Sequence, residues 1–252
     1  MVKSKKINVG ITIGDPNGIG IEVILKSLSD FSIFQDCNFI VYSSLNLIER
    51  QKQYLKIDTP PLRRVNGERD LYDNYINIKE VFSNDKFDFG DPNSKLSALG
   101  ILSLKEATED IKENKIDILV TAPINKKLSY SKSFEYSGHT DFFKYYFDTD
   151  PLMLMVSDEL RIALLTDHIP LKDVSNVINK NLVEQKIKIL ETCLVNDFQI
   201  NKPKIALLAI NPHAGDDGLI GSEDQSIVIP AINSFKEATS SIHGPFSADT
   251  FF

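Results

Sequence analysis

The run Ile7-Asn-Val-Gly-Ile-Thr-Ile13 stops at Gly14-Asp-Pro-Asn-Gly-Ile-Gly20, and beyond it Ile21, Ile24, Leu25 and Leu28 fall at i, i+3, i+4 and i+7. This change of pattern across a glycine-rich loop predicts a buried strand, a tight turn and an amphipathic helix. The rest of the chain repeats the alternation. Phe39 to Tyr42 reads as a strand, and a longer helix begins at Asn93 or Ser94, either of which can cap it. Leu104, Ala107 and Ile111 then keep a helical period, and Ile116 to Thr121 reads as a strand. Leu152 to Val156 and Arg161 to Thr166 read as strands joined by a tight turn at Ser157-Asp158-Glu159. A helix over Leu182 to Val195 places Val183, Ile187, Leu190 and Leu194 on one face. Ile205 to Ile210 is a further strand, and a last helix starts at Ser222 with Glu223 and Asp224 in its favourable first turn. Alternating strands and helices of this kind predict an α/β fold. The stretch from Gln51 to Asp91 is polar and irregular and shows no clear element.

With 252 residues, 42% of them hydrophobic, the chain can fill one large domain or two modest lobes. Its 28 Lys+Arg against 35 Asp+Glu give a net charge of −7, which argues against nucleic acid as a partner. Cys37 and Cys193 have neither metal-type spacing nor a paired framework and read as free thiols. No apolar run reaches the roughly 18–20 residues of a membrane span. The basic start, Met1 to Lys6, is followed by an apolar stretch that breaks at Asp15-Pro16, which argues against a signal peptide. The expectation is a soluble, cytoplasmic protein.

Three loops that follow strand-like runs carry reactive residues: Thr121-Ala-Pro, Thr166-Asp-His168 and Asn211-Pro-His-Ala-Gly215. Ligand sites in α/β sheets gather at the carboxyl ends of strands, so a single cleft is expected. The glycine loop suits either an anion at a helix amino terminus or a plain strand-to-helix turn, and it lacks the dinucleotide fingerprint. Of the four histidines, His139, His168, His213 and His243, two lie on strand-end loops and could share a metal or simply be satisfied polar groups. Asp167 beside His168 is a ligand, an orienting carboxylate or a solvated turn residue. Ser137-Gly-His-Thr140 reads as a helix start capped by Thr140 with Asp141 in the first turn, or as a polar pair, His139 and Thr140, facing a substrate. Lys126 and Lys127 are solvated, or supply positive charge for a phosphate. Asp249 is a carboxylate ligand or a cap.

Six segments, taken in order, resemble the 4-hydroxythreonine-4-phosphate dehydrogenase family of vitamin B6 synthesis. They are ITIGDPNGIGIEV (Ile11 to Val23), VTAPINK (Val120 to Lys126), SGHTDFF (Ser137 to Phe143), ELRIALLTDHIPLKDV (Glu159 to Val174), NPHAGDDGLIGSED (Asn211 to Asp224) and GPFSADTFF (Gly244 to Phe252). The resemblance implies a two-lobed fold like isocitrate and isopropylmalate dehydrogenases, with lobes over residues 1–124 and 125–252. It implies a homodimer with a shared active site and a small phosphorylated substrate, 4-phosphooxy-L-threonine. NAD accepts a hydride from the secondary alcohol, and loss of carbon dioxide leaves 3-amino-2-oxopropyl phosphate. The resemblance also implies a divalent cation (zinc, magnesium or cobalt) held by three histidines, with His168 and His213 matching two of them, and His139 and Thr140 matching substrate-contacting positions. It assigns no general base. The third histidine, in a YHDQG-type motif, and the nicotinamide contacts are expected beyond Phe252, so the fold is expected to lack its C-terminal elements and these residues alone to lack substantial activity. Three rival readings are a sister dehydrogenase of another phosphorylated hydroxy acid, a non-catalytic ligand-binding chain, and a phosphate acyltransferase of related fold.

Overall fold

The computed structural model describes residues 6–132, 134–235 and 241–252. It divides into two compact units, the first ending at Asp148 and the second running Thr149–Phe252. In chain order the first unit holds β1 (Ile7–Thr12), α1 (Gly20–Ser27), β2 (Cys37–Ser43), α2 (Leu45–Leu55), β3 (Leu62–Val65), β4 (Ile76–Glu80), α3 (Ser94–Lys112), β5 (Ile118–Thr121), α4 (Lys126–Ser129) and α5 (His139–Phe147). Its five strands form one parallel sheet in the order β3-β4-β2-β1-β5. Thr12 pairs with both Tyr42 and Thr121, so the chain leaves β1 and β5 at the same level.

The strand and helix periods explain the core. Val9, Ile11 and Ile13 pack with Ile21, Ile24 and Leu25 of α1 and with Val41 of β2. Asn93 caps α3, its Oδ1 accepting from the backbone N–H groups of Lys95 and Leu96. Ser103 on α3 donates to the Tyr42 carbonyl and accepts from the Ile13 N–H, stapling helix to sheet. Lower on α3, buried Asp110 accepts from Tyr42 Oη and Lys79 Nζ, each at 2.8 Å. Burial works to raise the Asp110 pKa, but the bonds from Lys79 and Tyr42 outweigh it and hold the carboxyl below the usual range.

The stretch from Gln51 to Asp91 contains the end of α2 and both β3 and β4. Its polarity hides them. Asn77 lies inside β4, fully buried, and donates its amide to the carbonyls of Phe39, Tyr72 and Tyr75. Edge strand β3 exposes Arg63 and Arg64. The boundary expected at 124/125 falls instead after Asp148, because Phe134 and Phe142 pack on Ile101 and Leu104 of α3, with Ile124 against them.

The second unit holds β6 (Leu154–Val156), β7 (Arg161–Ala163), α6 (Val174–Val177), α7 (Lys180–Asn196), β8 (Lys204–Leu208), α8 (Ile229–Asn233) and β9 (Ser241–Phe246). β6 and β7 form an antiparallel hairpin whose turn is closed by Ser157 Oγ accepting from the Leu160 N–H. β8 pairs in parallel with β9. Val183, Ile187 and Leu194 of α7 pack on Ile205, Leu207, Val228 and Ala231. The helix expected from Ser222 begins as a π-helical turn, Asp224–Val228, that runs on into α8. Among the described residues no helix is long and apolar enough to cross a membrane. Cys37 and Cys193 are free thiols.

Candidate functional site

The glycine loop after β1 is a packing device. Gly14 has φ +65, and a Cβ there would sit 2.1 Å from the Pro123 carbonyl oxygen. A Cβ on Gly100 of α3 would lie 2.1 Å from the Gly14 oxygen, so three backbones meet where only glycine fits. The Asp15 N–H donates to the Pro123 carbonyl at 3.0 Å, and the Asp15 carboxylate accepts from the Asn17 N–H and from Ser97 Oγ. Asn17 in turn accepts from the Asp88 N–H and donates to the Asp91 carbonyl. These bonds make the loop a brace that fixes the Thr121-Ala-Pro123 segment where β5 ends.

That segment leads through Asn125, which caps α4 by accepting from the Leu128 N–H, to Lys126. Lys126 lies over the start of α5. A Cβ built on Gly138 would be 3.4 Å from Lys126 Cε and 3.8 Å from Nζ. Gly138 occupies the N-cap of α5 and no side chain caps the helix, so Thr140 is a first-turn residue rather than the cap its type suggests. The Asp141 carboxylate is taken up by the Ser137 N–H at 2.9 Å. His139 is partly buried, and its Nε2 is enclosed without a hydrogen-bond partner. Burial first, and the Lys126 charge second, hold its pKa below the ordinary value, so the ring is neutral at neutral pH.

In the second unit His168 and His213 share three features. Both have left-handed backbone, φ 53 and φ 52. Both have exposed side chains, 66% and 65% accessible. Both turn Nδ1 toward a carboxylate: His168 to Asp167 Oδ2 at 3.4 Å and His213 to Asp249 Oδ2 at 3.0 Å. Among the described residues neither Nε2 has a partner. A histidine held through Nδ1 with Nε2 presented outward is the arrangement a metal-ligating imidazole needs. Each imidazole, taken singly, therefore has the exposed Nε2 that a divalent-ion ligand needs. Among the described residues no group of three His, Cys, Asp or Glu side chains gathers to hold a metal. His243 lies on β9 with its Nε2 against Ser241 Oγ.

The loop carrying His213 is unusual. His213, Ala214, Gly215, Asp216 and Asp217 all have positive φ, a left-handed turn in which four residues are not glycine. Each non-glycine costs roughly 1 kcal/mol or more there. The turn is held from below by Asp224, 1% exposed, which accepts from the N–H groups of Ile210 at 2.8 Å and Asn211 at 3.0 Å and from Asn211 Nδ2. Glu223 also accepts from Asn211 Nδ2. Sequence reading placed Glu223 and Asp224 at a helix start; their role in holding the loop was signalled only by a carboxylate pair closing a segment dense in turn formers. The four predicted site residues thus fall into two pairs, His139 and Thr140 in the first unit and His168 and His213 in the second.

Comparison with known proteins agrees with the ordered segments. The profile of the family described as pyridoxal phosphate biosynthetic protein PdxA matches residues 35–252. A 4-hydroxythreonine-4-phosphate dehydrogenase of Bacteroides thetaiotaomicron is 36% identical over 99% of this chain and 69% of its own length. One from a Sulfurihydrogenibium species is 33% identical over 98% of this chain and 76% of its own. A crystal structure of the Burkholderia phymatum 4-hydroxythreonine-4-phosphate dehydrogenase superposes with a TM-score of 0.85 at 30% identity, covering 98% of this chain and 76% of that one.

Proposed function

This chain belongs to the PdxA family of pyridoxal phosphate biosynthetic proteins, and from that membership we propose that it serves the oxidation and decarboxylation of 4-phosphooxy-L-threonine to 3-amino-2-oxopropyl phosphate with NAD and a divalent cation, as a homodimer. The observation that carries the reading is that His168 and His213 each turn Nδ1 toward a carboxylate and keep an exposed ring. A bound divalent ion would lower the pKa of the substrate hydroxyl and polarise the ketone that loses carbon dioxide, while the nicotinamide would take the hydride.

The chain's own residues have separate tasks. Asp249 and Asp167 set the tautomer and aim of the two imidazoles. Asp224 and Glu223 hold the strained turn that presents His213. His139, kept neutral, and Thr140, one residue on, are the polar pair assigned to the substrate; the His139 Nε2 has no hydrogen-bond partner in the protein to give up.

The protein is tested for NADH formation with 4-phosphooxy-L-threonine and with a panel of other phosphorylated hydroxy acids. The reading expects chelator-sensitive turnover that is highest with 4-phosphooxy-L-threonine. Higher turnover of a four-carbon sugar acid phosphate would favour the sister dehydrogenase, and metal-dependent binding without turnover would favour a non-catalytic chain.

A further inference from the structure

Asn211 is the last residue but one before His213, and each hydrogen it can donate is committed. Its backbone N–H goes to Asp224 Oδ2 at 3.0 Å. Its side-chain amide donates to Glu223 Oε2 at 2.9 Å and to Asp224 Oδ2 at 3.1 Å. Two carboxylates on neighbouring residues repel each other, and the amide gives to both. This fixes the way the amide faces, since turned over it would set its oxygen against both carboxylates. The bond from Asn211 is the main cause that holds the Glu223 pKa below its ordinary value, so that acceptor stays ionised.

Gly221 closes off the amide as well. Its φ is +130, and a Cβ there would stand 2.6 Å from both the amide carbon and the amide nitrogen of Asn211. A Cβ on Gly215 would stand 2.6 Å from the Gly221 carbonyl oxygen. One bare backbone therefore backs the turn on both sides of His213. Pro212 joins Asn211 to His213. Its ring fixes φ, so a displacement of Asn211 passes on to the histidine instead of being absorbed between them. We propose that Asn211 is a positioning residue for His213, its amide locked by Glu223, Asp224 and the backbone of Gly221 so that the imidazole meets Asp249 through Nδ1 and keeps Nε2 for the ion. The inference rests on the reading of His213 as a metal ligand and adds the group that sets its aim. Asparagine suits the place because aspartate would bring a third carboxylate, and serine has one hydrogen for two acceptors.

Two readouts test this in wild type, Asn211→Ser, Gly221→Ala and the double variant. Ile187→Val, a buried change in α7 of the same unit, is the control for lost stability alone. The first readout is the 15N spectrum of the histidine rings in metal-free protein. Wild type should show His213 with Nδ1 hydrogen-bonded and Nε2 bare. Asn211→Ser and Gly221→Ala should lose that signature at His213 and keep the His168 signals, and Ile187→Val should keep both. The second readout is cobalt affinity from the visible spectrum. Each single variant should bind about tenfold more weakly than wild type, as when a ligand loses its support. In the Asn211→Ser background, Gly221→Ala should weaken binding by no more than about twofold further, because the amide it would strike is gone. Glu223→Gln, which leaves Asp224 as an acceptor, should move both readouts the same way by a smaller amount, and it decides the matter if Asn211→Ser does not fold.

Unchanged His213 signals and cobalt affinity in Asn211→Ser, or in Glu223→Gln should Asn211→Ser not fold, overturn the proposal. So does a Gly221→Ala effect equal in both backgrounds, or a matching loss in Ile187→Val. If wild type binds no cobalt, the assigned ion falls and the ring spectra alone decide the role of Asn211.

Discussion

The loop after β1 and the loop after β8 both turn the chain sharply at the carboxyl end of a parallel strand, yet they do so by opposite means. In the first, glycine occupies the positions where backbones touch: Gly14 at φ +65 against Pro123, and Gly100 against Gly14. In the second, His213, Ala214, Asp216 and Asp217 are forced left-handed around a single Gly215. The first loop meets its geometric demands with the residue that meets them most cheaply, and its polar groups are used up internally. The second keeps costly residues in place and holds them with a buried carboxylate. The contrast separates a brace, whose product is position, from a site, where strain is tolerated for what the side chains do.

The comparison can be broken at either loop. Gly14→Ala should have the largest effect, a loss of about 3 kcal/mol or more in denaturant unfolding, since a Cβ 2.1 Å from Pro123 O leaves nowhere to move. A loss below about 1 kcal/mol would mean the brace is slack. Asp224→Asn should cost about 2 kcal/mol, because a buried acceptor of three N–H bonds loses its charge and gains an unplaced donor. Asp249→Asn should leave stability nearly unchanged but weaken divalent-ion binding about tenfold, as loss of an imidazole's orienting partner does. Ala214→Gly should stabilise the protein by about 0.5–1 kcal/mol by relieving φ +55. If Ala214→Gly destabilises instead, the left-handed turn is not a store of strain and the contrast between the loops collapses.

Much of the frame was legible in the sequence because apolar period and caps are local signals. β1, α1, α3 with its Asn93 cap, the β6–β7 hairpin and α7 all fall where pattern placed them. β3, β4 and β9 escaped it. Asn77 is buried in β4 by satisfying three carbonyls, and β9 carries Gly244 and Pro245, both of which argue against a strand when read locally. The same limit applies to function. His168 and His213 are visible as residue types, but their left-handed backbones, and the reach of Asp249 back to His213 Nδ1 across 3.0 Å, depend on the folded loop. Asp224 was legible only as a helix-start residue because its three acceptor bonds run backward to Ile210 and Asn211.

The central claim is that the strained loop exists to present His213, together with His168, to a divalent ion. Cobalt titration followed by visible absorption, in the wild-type protein and in His168→Ala and His213→Ala, tests it directly. The account predicts a bound-cobalt spectrum in the wild type and at least about tenfold weaker binding in each variant. Binding unchanged in either variant would contradict it.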